Sequence, residues 1–121
     1  MTSHNIRFIR IETLADAKRE IQAVGSASES IDIMAPKAIT RVVKFENVHM
    51  QDALIIKQDM LSLGGEVAIS KDAFDLQQRP AAILIIGTVK QLGELVDKLR
   101  RHYPRLQRIA VDLADLIHTI P

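Results

Sequence analysis

The chain has 121 residues, 47% hydrophobic and 26% charged, with a formal net charge of +1. That length suits one compact domain able to bury roughly two thirds of its unfolded surface. The absence of cysteine excludes disulfides, thiolate metal sites and cysteine nucleophiles, and the near-neutral charge gives no general pull towards nucleic acid.

With three Phe, one Tyr and no Trp, the core has to be aliphatic. MTSHNIRFIRIE carries no apolar run of signal-peptide type, and no segment approaches the ~20 apolar residues that cross a bilayer. A cytoplasmic protein with no membrane contact is expected.

Ile6 to Ile11 alternates well enough for a short strand. Thr13 opens a helix, with Asp16 placed for a capping box, Leu14, Ala17, Ile21 and Val24 on one face, and Gly25 as the stop. SASES (26–30) is a loop that can cap a helical turn at Ile31 to Met34, and Pro36 discourages helix at Ala35. Ile39 to Val48 suits a strand.

His49 to Leu63 reads as a long helix ended by Gly64 and Gly65, one of them left-handed. Val67 and Ile69 then share one face of a third strand. Residues 71–80 form a polar connection. Ala81 to Ile86 (AAILII) is a continuous apolar run, which predicts a central strand covered on both faces. Gly87 makes the turn, and Thr88 with Gln91 forms a second capping box. Val89, Leu92, Val96 and Leu99 supply that helix's inner stripe. Tyr103-Pro104 starts the last helix, with Leu106, Ile109, Leu113, Leu116 and Ile120 along one side. Its apolar face fits its own sheet or a second copy, so a homo-oligomer is possible.

The order β-α-β-α-β-β-α-α predicts an α/β (α+β) fold: a single four-stranded sheet with about four helices packed on it.

Few residues stand out chemically. Lys57 lies at about 40° from Ala53 on the helical wheel, inside the apolar arc. A cation there needs water, a carboxylate or a bound anion; the plainer reading is a stem on apolar surface with the ammonium reaching solvent. Lys37 follows Pro36 in a stiff loop and suits either a surface position or a ligand contact. The Gly87-Thr88 turn can offer amides to a phosphate, yet neither GxGxxG nor GxxxxGK[ST] is present. Arg100, Arg101, Arg105 and Arg108 form a basic patch. Helix-dipole complementation explains it better than nucleic acid does, since stacking aromatics are scarce. The four histidines lack metal-ligand spacing, so no metal is expected. No cofactor motif and no catalytic set emerge.

Three segments, IMAPKA (33–38), IIKQDMLSLGGEVAIS (55–70) and ILIIGTVKQLGELVDKL (83–99), together resemble the N-terminal extension of long-form bacterial dihydropteroate synthases. The resemblance runs from about Ile6 to Leu99. It is strongest at Lys57, Gln58, Met60, Leu61, Gly64 and Gly65; Asp59 stands where the family has Glu. That enzyme's chemistry resides in a TIM barrel of ~250 residues, which this sequence does not contain, nor does it hold the barrel's opening N-V-T-P-D-S-F motif. The resemblance therefore implies a non-catalytic accessory domain whose partner is a dihydropteroate synthase barrel. It implies that Lys57 lies near a pyrophosphate or an inter-domain seam; Lys57, Gln58, Lys37 and Thr88 together are the expected ligand or partner contacts. The alternatives are a regulatory domain holding a pterin or phosphorylated ligand near Lys37, Lys57 and Thr88, then a small nucleic-acid binder, and last an enzyme in its own right.

Overall fold

The computed structural model describes residues 3–73 and 79–121. Its elements are α1 (Leu14–Ala23), α2 (Ser28–Met34), a 3-10 turn (Ala35–Lys37), β1 (Thr40–Val48), α3 (Met50–Ser62), β2 (Glu66–Ala68), β3 (Ala81–Thr88), α4 (Val89–Leu99) and α5 (Pro104–Ile117).

Both capping boxes form. The Thr13 hydroxyl accepts from the Asp16 amide at 3.0 Å and the Thr88 hydroxyl from the Gln91 amide at 3.1 Å, while each partner side chain reaches back to the cap's own amide. Each box satisfies two amides that a helix start leaves orphaned. Gly64, at φ +91°, ends α3 in the left-handed region that glycine tolerates best.

The sheet has the order β1-β3-β2, and β3 pairs antiparallel with both neighbours. β1 and β2 thus run the same way on either side of β3, joined by α3. Val43 lies opposite Ile85, as does Val67, and Phe45 lies opposite Ile83. These side chains share the face that meets α3, α4 and α5. Ile56, Met60, Ile83, Ile85, Leu92, Leu95, Leu99, Leu106 and Leu113 are buried there, each contributing roughly 1.5–3 kcal/mol of transfer free energy.

Several expectations change. The described residues hold five α-helices and three strands, where four of each was the reading. The missing strand is Ile6 to Ile11: its chain is not paired, and Ile6 and Phe8 are 97% and 104% exposed. Alternation supplies a face, but a strand also needs a neighbour with free backbone groups. The short turn expected at Ile31 is a full helix from Ser28, continued as a 3-10 turn across Pro36. Proline fits there because its lost N–H falls in a first turn. Gly87 is not a turn; β3 runs through it to Thr88. β3 is central as expected, yet only one of its faces is deeply covered. Ile83 and Ile85 are buried, Leu84 and Ile86 half-buried and Ala82 exposed. The last helix packs within the chain, burying Leu106, Ala110 and Leu113. The connection expected at 71–80 begins as a turn at Lys71 to Ala73; its residues 74–78 lie outside the described residues. Among the described residues, no helix is long and apolar enough to cross a membrane.

Candidate functional site

The KQDMLSLGG segment forms the corner where α3 passes into β2, and its residues have structural partners. The Lys57 Nζ donates to Glu66 Oε1 at 2.9 Å and to the Val67 carbonyl at 2.8 Å. Its anion comes from the adjacent strand. The Glu66 carboxylate also accepts from the Val67 amide at 2.8 Å. The Lys57 hydrogen bond, then that of the Val67 amide, hold Glu66 below the usual carboxylate range. Lys57 keeps a third of its side chain in water (33%), so it extends along apolar surface to a carboxylate at the rim.

Two glycines flank Met60 in space. A Cβ at Gly65 would press on the Met60 side chain and lie 2.9 Å from the Ile86 carbonyl oxygen, and one at Gly87 would meet the Met60 Cε and, at 3.0 Å, the Gln91 side-chain oxygen. The thioether fills the space beside both backbones, and at Gly65 the backbone itself leaves no room for a side chain. Gln58, on the same helix, is exposed.

Lys37 and Thr88 do converge. With Leu63, Lys90, Gln91 and Glu94 they line a polar pocket of about 280 Å³. Lys57 and Gln58 do not line it. Lys90 is paired with Glu94 across one helical turn at 2.6 Å, and Gln91 donates to the Leu63 carbonyl at 3.2 Å, tying α4 to the end of α3. The α4 amides of Val89 and Gln91 are engaged by the Ile39 carbonyl and the Thr88 hydroxyl. That leaves little of the helix start for an anion.

The basic patch is not uniform. Arg100 lies 3.6 Å from Asp97 and Arg108 lies 3.4 Å from Asp112, both exposed pairs of small energetic weight. Arg101 is exposed. Arg105 has another task. Its Nε donates to Asp52 Oδ2 at 2.8 Å and its second guanidinium nitrogen to Oδ1 at 2.9 Å, a bidentate fork. The Tyr103 hydroxyl donates to the same carboxylate, and the guanidinium carbon stands 5.1 Å from the Tyr103 ring centroid.

Asp52 is 1% exposed, the charged member of the core. Burial pushes its carboxyl up, but the Arg105 and Tyr103 hydrogen bonds and the Arg105 charge outweigh burial and hold it below the usual range. Burial and the Asp52 carboxylate push the Tyr103 phenol up. Two turns on, Asp59 meets the His102 ring at 2.9 Å. One acidic stripe of α3 thus grips the α4–α5 junction at three side chains within four residues, His102, Tyr103 and Arg105. Sequence reading passed over Asp52. The available signal was an acid in the first turn of a helix, favourable to the dipole, but nothing in the sequence pairs it with residues some fifty positions away.

Similarity to known proteins is limited. No known family's profile and no solved structure matches the chain. The bifunctional dihydropteroate synthase/dihydropteroate reductase of Helicobacter pylori is 26% identical over 96 residues. That alignment covers 79% of this chain and 25% of the relative, so the chain spans about a quarter of that protein's length.

Proposed function

We propose that this chain is a non-catalytic module of folate biosynthesis that acts with a dihydropteroate synthase barrel through protein contact. The observation that carries the reading is the similarity over 79% of the chain to one quarter of a bifunctional synthase/reductase. A segment that long, matched without a barrel, fits an accessory unit. The surfaces available for contact are the Lys37–Thr88 pocket rim and the exposed side of α3 at Gln58 and Leu61. Lys57 contributes through the Glu66 bridge, which fixes how the α3–β2 corner is presented.

The test is reconstitution. The chain is mixed with a purified dihydropteroate synthase barrel from the same source, and both dihydropteroate formation and dihydropteroate reduction are followed with each component and with the mixture. A rise in either reaction only in the mixture supports the module. No change in either, with no complex on size exclusion, removes the reading.

A second reading, a small-ligand regulatory domain, is favoured by one observation. Lys37, Lys90 and the Thr88 cap line one polar pocket of about 280 Å³. Titration of the chain with a pterin and, separately, with inorganic pyrophosphate decides it. Saturable binding that Lys37→Ala weakens tenfold supports the pocket, and no heat or chemical-shift change with either probe discards it.

A further inference from the structure

The chain holds two halves of a contact that do not meet each other. One is the arm at residues 6–11. It carries no regular secondary structure, and Ile6, Phe8 and Ile9 are 97%, 104% and 50% exposed. As a strand it would carry Ile6 and Phe8 on one side and Ile9 and Ile11 on the other. The second half is β1, an edge strand whose other neighbour is β3. Beside it lies an apolar pocket of about 220 Å³, lined among others by Val42, Val43, Leu116 and Ile117. Val42 and Leu116 are 60% and 48% exposed. A free edge next to an open apolar pocket is a template for an added strand.

We propose that the arm of one copy adds as a fourth strand to the β1 edge of a second copy, each chain giving its arm to the other. The regular part of β1 ends at Phe45. An antiparallel register that sets Phe8 opposite Phe45 also sets Ile9 opposite Lys44, Arg10 opposite Val43 and Ile11 opposite Val42. Two aromatics and two β-branched side chains then face each other, pairs that stabilise a sheet.

A chain's own arm has the advantage of proximity, since pairing within a chain costs only loop closure. The root of the arm is already at its own β1: the Arg41 guanidinium donates to the Glu12 carbonyl at 2.9 Å. From that root the arm runs into solvent, with Phe8 wholly exposed, so nearness alone does not seat it. Reciprocal exchange satisfies both halves at once in a closed two-fold pair. Each arm brings a Phe8 worth roughly 150 Å² or more of buried surface, together with Ile6 and Ile9, to an edge that also offers backbone pairing.

The test uses the lack of cysteine in the chain. Ile9→Cys and Lys44→Cys are made in separate chains of different mass, at positions outside the buried core, and the two are mixed and oxidised. A disulfide-linked heterodimer that reductant dissolves is the expected product, and Phe8→Asp in the Ile9→Cys chain should reduce its yield at least fivefold. Light scattering of the unmodified chain should give twice the monomer mass. A monomer mass at about 100 μM, at which most specific homodimers have formed, would overturn the proposal. So would a chain carrying both cysteines that closes its disulfide internally while the mixed single variants do not cross-link. The first outcome would leave the edge to another protein, the second to the chain's own arm.

Discussion

The Asp52 carboxylate offers the sharpest test of how the α4–α5 junction is held. Asp52→Asn keeps the shape and removes the charge. The amide can accept at one position but turns a donor towards the Arg105 fork or the Tyr103 hydroxyl. Hydrogen bonds to a charged group contribute roughly 1.5–3 kcal/mol. Arg105 is 49% exposed and is resolvated when released, which places the net loss near the lower half of that range, about 2 kcal/mol. With a urea slope of about 1–3 kcal/mol/M for a domain of this size, the midpoint should fall by roughly 1 M at pH 7.

The pH dependence fixes the origin of that loss. The folded state holds the Asp52 carboxyl below its ordinary value, so the unfolded chain takes up the proton first on acidification. The stabilisation is full above the unfolded value of about 3.9 and is lost as pH falls through the lower folded value. Urea unfolding of parent and Asp52→Asn at pH 7, 5 and 2.5 should show the same gap at the first two and a narrowed gap at the third. A gap that stays constant down to pH 2.5, or one below about 0.5 kcal/mol at pH 7, would refute the assignment of a buried, ionised Asp52.

Other substitutions probe the corner and the caps. Gly65→Ala sets a methyl 2.9 Å from the Ile86 carbonyl oxygen as well as against the Met60 side chain and should cost about 1–3 kcal/mol; Met60→Ala in the same chain should recover part of that loss, as a double-mutant cycle by urea unfolding would show. Thr88→Ala removes the α4 capping box and should cost about 1 kcal/mol, read from the midpoint with an unchanged slope. Lys57→Met should lower the midpoint by less than Asp52→Asn does, because Glu66 stays in water, and the difference between parent and variant should shrink in high salt.

The sequence carried the local grammar well. Thr13 with Asp16, and Thr88 with Gln91, signal helix starts because a cap and its partner lie three residues apart, within one turn. Gly64 signals a helix end through its own backbone freedom. The AAILII run marked β3 as the central strand, although of the two covered faces that such a run signals only the Ile83 and Ile85 face is deeply buried. Even the position of Lys57 inside an apolar arc could be read, although its anion could not. Glu66 lies nine positions away, and only the turn of Gly64 and Gly65 swings it back over the helix.

Tertiary structure decided what depends on distant partners. Ile6 to Ile11 has the alternation of a strand, but strand formation is a property of a pair, and its own chain leaves the arm unpaired. Gly65 and Gly87 read as flexible turn residues, whereas packing sets both beside Met60 and leaves Gly65 no room for a side chain. Arg105 reads as one more cation in a basic run, and Asp52 as an acid in a first helical turn. Their fork, and the buried charge it protects, exist only because α3 and α5 are brought together by apolar faces elsewhere on the same helices. Local signals act over one turn of backbone, while burial and pairing are set by which elements share a core.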